Sequence, residues 1–321
     1  MRFSKIIPSA LLLLVSLLSS CMTYTYQDAL QEIPAERSLP SDELPSTRKV
    51  VPEEPKMEET PPVVTEKAIT SIETALVPLP CGGPKELLDL IIQEVHDRSF
   101  DIAGFTGDTE SLNYVASQLS TPVYWTEQGL FVTTKLPVSQ SSSQFIQVTT
   151  DTTRAFNIAL VDMQESTVFE QLLEEPLRED WQGIVLEANR ARRDQVAYLL
   201  DYQEEEPLLV LASLAEPAGA DWFETADGHS YRTKLAWPLV EEFQERRFLD
   251  SWSMTHYHAA TKSGHTWTLV TEKEVYAERV DFLLSLKLIP VRTMTIPMGP
   301  WETHRLPYEY RSAVTGTFIL P

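Results

Sequence analysis

Six histidines and two cysteines are the soft ligands and strong nucleophiles of this 321-residue chain. His256 and His258 flank Tyr257. A spacing of two can set both imidazoles on one side of a strand, an arrangement suited to zinc or copper, with His265 nearby as a third donor. A polar loop carrying unrelated imidazoles accounts for the same residues. Cys81 precedes Gly82-Gly83, and a thiolate nucleophile there would need a base within hydrogen-bond reach. No matched histidine and carboxylate pattern surrounds it, so Cys81 reads as structural. Trp222, Phe223, Tyr231 and Trp237 are either the lining of a ligand cleft or ordinary core and rim.

Cys21 stands in a more telling context. Arg2 and Lys5 precede an apolar run from Ile6 to Leu18, and Leu18-Ser19-Ser20-Cys21 follows. The run has the length of a signal-peptide core and is short for a membrane span. Its end resembles a bacterial lipobox, in which a branched apolar residue and two small ones admit a peptidase before a cysteine that carries diacylglycerol. That resemblance implies an exported lipoprotein with lipidated Cys21 as its first mature residue. Several acyl chains would hold it to a membrane, periplasmic or at the cell surface. An ordinary secretory signal is the alternative. If Cys21 is lipidated, Cys81 has no intramolecular disulfide partner.

Around these residues the composition excludes whole classes. At 43% hydrophobic and 23% charged, with 11 Gly, 22 Pro and 2 Cys, the chain is neither fibrous, disulfide-stapled nor wholly disordered. Its 26 Lys and Arg against 47 Asp and Glu leave a formal charge of -21. A nucleic-acid backbone would on average be repelled, so the expected partners are the membrane and a small ligand or protein. From Met22 to Ala68 prolines 34, 40, 45, 52, 55, 61 and 62 recur among acidic residues, too often for helix or ladder. The expected organisation is a signal peptide at 1–20, a disordered acidic linker at 21–68 and a folded domain at 69–321.

Periodicity within the domain alternates. A strand is expected over Ile69 to Pro80, a helix over Lys85 to Arg98 with Pro84 at its start, and a strand over Phe100 to Phe105. Asp108 is placed to cap a helix bearing Leu112, Val115, Ala116 and Leu119. Short strands follow at Val123 to Trp125, Leu130 to Thr134, Phe145 to Thr149 and Ala155 to Val161. Beyond them come a strand near Gly183 to Leu186, a helix from Arg190 to Tyr202, a strand over Leu208 to Leu211 and a helix over Leu239 to Arg246. Strands near Thr266 to Val270, Val280 to Leu284 and Ala313 to Leu320 complete an α/β domain with more than one sheet.

The order of these segments resembles the endonuclease/exonuclease/phosphatase superfamily of metal-dependent phosphodiesterases. Phe248-Leu249-Asp250-Ser251-Trp252 is similar to its D-x-W element, Gly264-His265-Thr266-Trp267 to its y-T-W, and Arg279-Val280-Asp281-Phe282-Leu283-Leu284 to its R-I-D-Y-I-L. Tyr310-Arg311-Ser312-Ala313-Val314 resembles the S-D-H-R-P-V strand, and Asp101 to Phe105 the D-I-I-G-L-Q-E strand. Gly129 to Val132 with Lys135 to Val138, Arg193-Asp194-Gln195, and Leu208 to Pro217 resemble the G-v-a-i-l-S-r-x-P-I, R-x-x-Q and G-D-F-N elements. The resemblance implies a four-layer α/β/β/α sandwich, two packed mixed sheets flanked by helices.

It also implies chemistry whose residues this chain lacks. The family uses a carboxylate-held divalent cation, an Asp/Asn pair that orients water and an Asp-His pair that stabilises the pentacovalent charge. The metal-binding Glu falls on Gly107, the Asp and Asn of G-D-F-N on Ser213 and Ala215, and the Asp and His of S-D-H on Glu309 and Tyr310. The stretch Ile69 to Pro80 offers no Asn for the first strand. Only Asp281 persists. The reading is a catalytically degenerate, ligand- or partner-binding domain without cofactor. The alternative is an active phosphodiesterase whose Mg or Mn site is displaced onto Asp108, Glu216 and Glu309. Thr106-Gly107-Asp108 is also similar to the T-G-D of binuclear metallophosphoesterases, but no G-N-H-[DE] element follows.

Overall fold

The computed structural model describes residues 71–80, 82–133, 136–150, 154–163, 171–172, 179–203, 205–217, 235, 237–256, 264–270, 275–298 and 308–320. The chain divides into two units, Met1–Val64 and Thr65–Pro321, and the described residues belong to the second. Cys21, Cys81, His258, Trp222, Phe223 and Tyr231 lie outside them.

β1 (Ser71–Pro78) is followed by α1 (Lys85–Arg98), which begins after Pro84 and buries Leu88, Ile91 and Val95 on one stripe. A left-handed Ser99 ends it. β2 (Ile102–Thr106) runs parallel to β1, and α2 (Thr109–Gln118) starts where the Asp108 carboxylate accepts the Ser111 N–H. A series of antiparallel strands follows: β3 (Val123–Thr126), β4 (Gly129–Thr133), β5 (Val138–Ser141), β6 (Phe145–Thr149) and β7 (Ala155–Asp162). Next come α3 (Trp181–Leu200), β8 (Leu208–Ser213), α4 (Pro238–Glu245), β9 (Leu249–Asp250) and α5 (Ser251–Thr255). β10 (Trp267–Val270), β11 (Val275–Glu278), β12 (Asp281–Leu286), β13 (Ile289–Pro297) and β14 (Tyr308–Ile319) complete the order.

Two mixed sheets result among the described residues. The larger runs β11-β10-β14-β1-β2-β4-β3, with β13 also paired to β14; the smaller runs β5-β6-β7-β8-β12-β9. Strand side chains alternate between faces, and burial follows that alternation. In β8, Leu209 and Leu211 join Phe156, Ile158 and Leu160 of β7 in a core shared with Ile72, Leu76, Ile102 and Phe131 of the other sheet. Leu208, Val210 and Ala212 turn the other way, onto Val196 and Leu199 of α3 and Leu239, Val240 and Phe243 of α4. Ala75, Val77 and Ala103 face outward onto α1 and α2. The layers are therefore helix, sheet, sheet and helix, the sandwich expected from the sequence.

One expectation fails. Gly183 to Leu186 is not a strand but part of α3, which begins at Trp181, well before Arg190. A glycine followed by Ile, Val and Leu has local strand character, but Trp181, Val185, Asn189 and Val196 are buried on one helical stripe. Tertiary burial decides the outcome over a four-residue run.

Candidate functional site

The inter-sheet face of the smaller sheet ends in a row of polar side chains. Counting down β7 by twos from Phe156, Ile158 and Leu160 reaches Asp162. Counting down β8 from Leu209 and Leu211 reaches Ser213, and up β12 from Leu283 reaches Asp281. Register aligns the three, Asp162 opposite Ser213 and Ser213 opposite Asp281. Asp281 is fully buried and Ser213 nearly so.

Arg311 of β14 reaches this row from the other sheet. Its Nη1 donates to Ser213 Oγ at 3.2 Å and lies 3.7 Å from Asp281 Oδ1. The Gly107 N–H, at the end of β2, donates to Asp162 Oδ2 at 3.1 Å. Burial pushes Asp162 up to about 6, against the opposing pull of Arg311 and the Gly107 amide, with the Asp281 charge adding to the rise. Gly107 has φ +142, a conformation that side chains rarely adopt, and a Cβ would lie 3.0 Å from Leu79 Cβ. A carboxylate-bearing residue is therefore strained at this position.

A second group of residues supports this end of the sandwich. Asp250 accepts both Arg279 guanidinium bonds, Nη1 to Oδ1 and Nη2 to Oδ2 at 2.9 Å each. It also caps α5 by accepting the Trp252 N–H at 3.2 Å and the Ser253 hydroxyl at 2.7 Å. The guanidinium carbon lies 4.8 Å from the centre of the Phe282 ring. Thr266 Oγ1 accepts the N–H groups of Val280 and Asp281, each at 3.0 Å. Gly264 permits the approach of Trp252, since a Cβ would sit 2.4 Å from that ring. The D-x-W, y-T-W and R-x-D elements thus form one buried assembly that fixes the backbone beneath Asp281.

Among the described side chains, Asp108, Glu216, His256 and Trp237 do not join the row. Asp108 is committed to α2, accepting Ser111 N at 2.9 Å, Ser111 Oγ at 2.8 Å and Gly82 N at 3.0 Å. Against a burial that raises it, these bonds hold its carboxyl below the ordinary value. Ala215, with φ 51, and Glu216 follow β8. Glu216 is fully buried and paired with Arg192 of α3. Burial raises its pKa despite that cation. Arg192, one residue before the Arg193 singled out in the sequence, therefore makes the helix-to-sheet contact; Arg193 pairs with Glu242. Glu309 and Tyr310 lie in β14 opposite Leu269 and Thr268, and their side chains are outside the described residues. His256 ends α5 stacked on Trp252, ring centres 3.8 Å apart, and Trp237 is core.

The described side chains do not fit a family-type cation site. Asp162 and Asp281 sit on either side of β8, two strand spacings or roughly 10 Å apart at Cα. A divalent ion needs several oxygens on one point, and the group beside Asp281 is a guanidinium. Among the described residues, no three His, Cys, Asp or Glu side chains are grouped to hold a metal ion. Asp162 itself escapes the sequence reading, which ends its strand at Val161. The alternation from Phe156 was the signal that could have found it.

The layered architecture is that of the endonuclease/exonuclease/phosphatase fold. TDP2 from C. elegans has a similar structure, with TM-score 0.50 and 11% identity over 80% of this chain and 78% of that one. An endonuclease/exonuclease/phosphatase family protein from Bacteroides thetaiotaomicron aligns with TM-score 0.46 and 10% identity over 79% of this chain and 99% of that one. A mannosyl-6-phosphatase from the same organism aligns with TM-score 0.45 and 10% identity over 77% and 99%. No family model and no curated protein sequence matches the chain.

Proposed function

We propose that this chain is an exported, lipid-anchored protein whose folded domain uses a phosphodiesterase/phosphatase fold for binding and not for hydrolysis. The observation that carries the reading is the Asp162-Ser213-Asp281 row with Arg311 set against it. Hydrolysis of a phosphate ester needs a cation or a cluster of donors aimed at the developing charge, and an oriented water. Among the described residues the charged donor at the row, Arg311, donates Nη1 to Ser213 and faces Asp281 at 3.7 Å. The partner is a small ligand or a protein. The net charge of -21 argues against nucleic acid.

The test is turnover. The purified protein, assayed with phosphodiesters, phosphomonoesters and phosphoinositides in magnesium or manganese, should show none. Activity that disappears in Asp281→Asn or Glu309→Gln would establish the alternative, a hydrolytic site moved within the same fold. The anchor is tested separately. Cys21→Ser should abolish lipidation and release or mis-process the chain, and a variant that stayed firmly in the membrane fraction would refute the lipobox reading.

A further inference from the structure

The outer face of the smaller sheet is covered by α3 and α4, and between the two helices lies a groove of about 430 Å³. That volume falls within the roughly 300–1,000 Å³ of small-molecule sites. From α3 come Leu186, Asn189, Arg190 and Arg193, which share one face because they recur at helical spacing. From α4 come Glu242, Glu245 and Arg246. Asn189 is the buried member of this lining. It is 6% exposed, its Nδ2 donates to Glu242 Oε1 at 3.0 Å, and its Oδ1 has no hydrogen-bond partner. A buried acceptor left unpaired is costly, and a ligand that brings a donor to it recovers that cost.

Charges of both signs surround that acceptor. Glu242 is already matched, since Arg193 Nε occupies its Oε2 at 2.6 Å. Arg193, Arg190 and Arg246 keep guanidinium N–H groups beyond those given to Glu242, Glu187 and the Leu200 carbonyl. Glu245 has no partner among the described residues. We propose that the groove binds a small zwitterion, an α-amino acid or a short peptide. Its carboxylate sits on the guanidinium groups, its ammonium on Asn189 Oδ1 and Glu245, and an apolar side chain along half-exposed Leu186. A lone phosphate or sulfate would face Glu245 and leave Asn189 without a donor, and a lone cation would face three arginines. The groove belongs to the helical layer, so this assignment goes beyond the functional reading above and holds whether or not the row hydrolyses a phosphate.

Isothermal titration calorimetry of the full chain tests this, with leucine and glycyl-leucine as the probes. At least one should bind, and the tighter of the two tells a free amino acid from a peptide as the occupant. Acetylating the amine or amidating the carboxylate of that probe should weaken binding about tenfold or more, because a charged group of the groove is then left unanswered. Glu245→Gln and Arg190→Gln, both at exposed positions where the fold tolerates change, should each weaken it severalfold. Asn189→Leu should abolish it, and the two surface variants decide the matter if that chain fails to fold. Absence of binding by either probe at millimolar concentration overturns the proposal. So do an acetylated probe that binds as tightly as the free one, displacement of the probe by inorganic phosphate, and unchanged affinity in both surface variants. Turnover of a phosphodiester would remove the functional reading and leave this one standing.

Discussion

Asp162 shows how a single position can set the pH response of the domain. Its carboxyl is raised from 3.8 to about 6 by burial, with Arg311 and the Gly107 amide opposing and Asp281 reinforcing. Between those values the folded protein holds a proton that the unfolded chain has released, so stability falls as pH rises through the window. The full penalty, present above about pH 6, is roughly 3 kcal/mol for a shift of this size. Asp162→Asn should therefore be more stable than the wild type at pH 7 and lose that advantage toward pH 4, measured by urea unfolding across the range. An unchanged difference between the two at both pH values would refute the assignment. The Asp250-Arg279 pair is buried on both sides and bonded twice. Arg279→Met should cost about 3–5 kcal/mol by stranding the Asp250 charge, read as a drop in the urea midpoint. The positions of both Asp250 and Arg279 were legible in the sequence through their motif neighbours. Asp162 was not, since an aspartate closing a strand looks like a turn residue until the opposite sheet is known.

At the scale of elements, legibility followed the strength of the local signal. Lys85 to Arg98 was read without error because Leu88, Ile91 and Val95 repeat at helical spacing behind a proline. Asp108 was read as a cap for the same kind of reason. Asp108→Ala should cost about 1 kcal/mol and unfasten the first turn of α2, seen as faster amide exchange at Ser111 and Leu112; unaltered exchange there would contradict the cap. β5 went unread because Val138–Ser141 is mostly exposed and polar. β13 went unread because Pro290 and Pro297 argue against a ladder strand, and only its place at a sheet edge accommodates them. β9, with two residues, is too short to show a period. In each case the deciding information is the neighbour across the sheet, which a linear pattern does not contain.

For the molecule as a whole, prolines recur among acidic residues from Met22 to Ala68, and the expectation from that composition is that this stretch adds nothing to the fold. The segment 69–321 should therefore unfold as one cooperative transition with the denaturant midpoint of the full chain; a lower midpoint would show that the earlier residues contribute to the fold. Within that segment the larger sheet has a further consequence. β1 has β2 on one side and β14 on the other, with Thr74 Oγ1 bonded to the Gly316 carbonyl across 242 positions of sequence. Pairing of such separation is slow, since the intervening loop must be closed before any contact repays it. A chain emerging from the ribosome cannot complete this sheet until β14 has been made, so the domain cannot lock before its last strand is present. A domain that locks only with its last strand stays threadable while that strand is being made, a state that would suit the export proposed above.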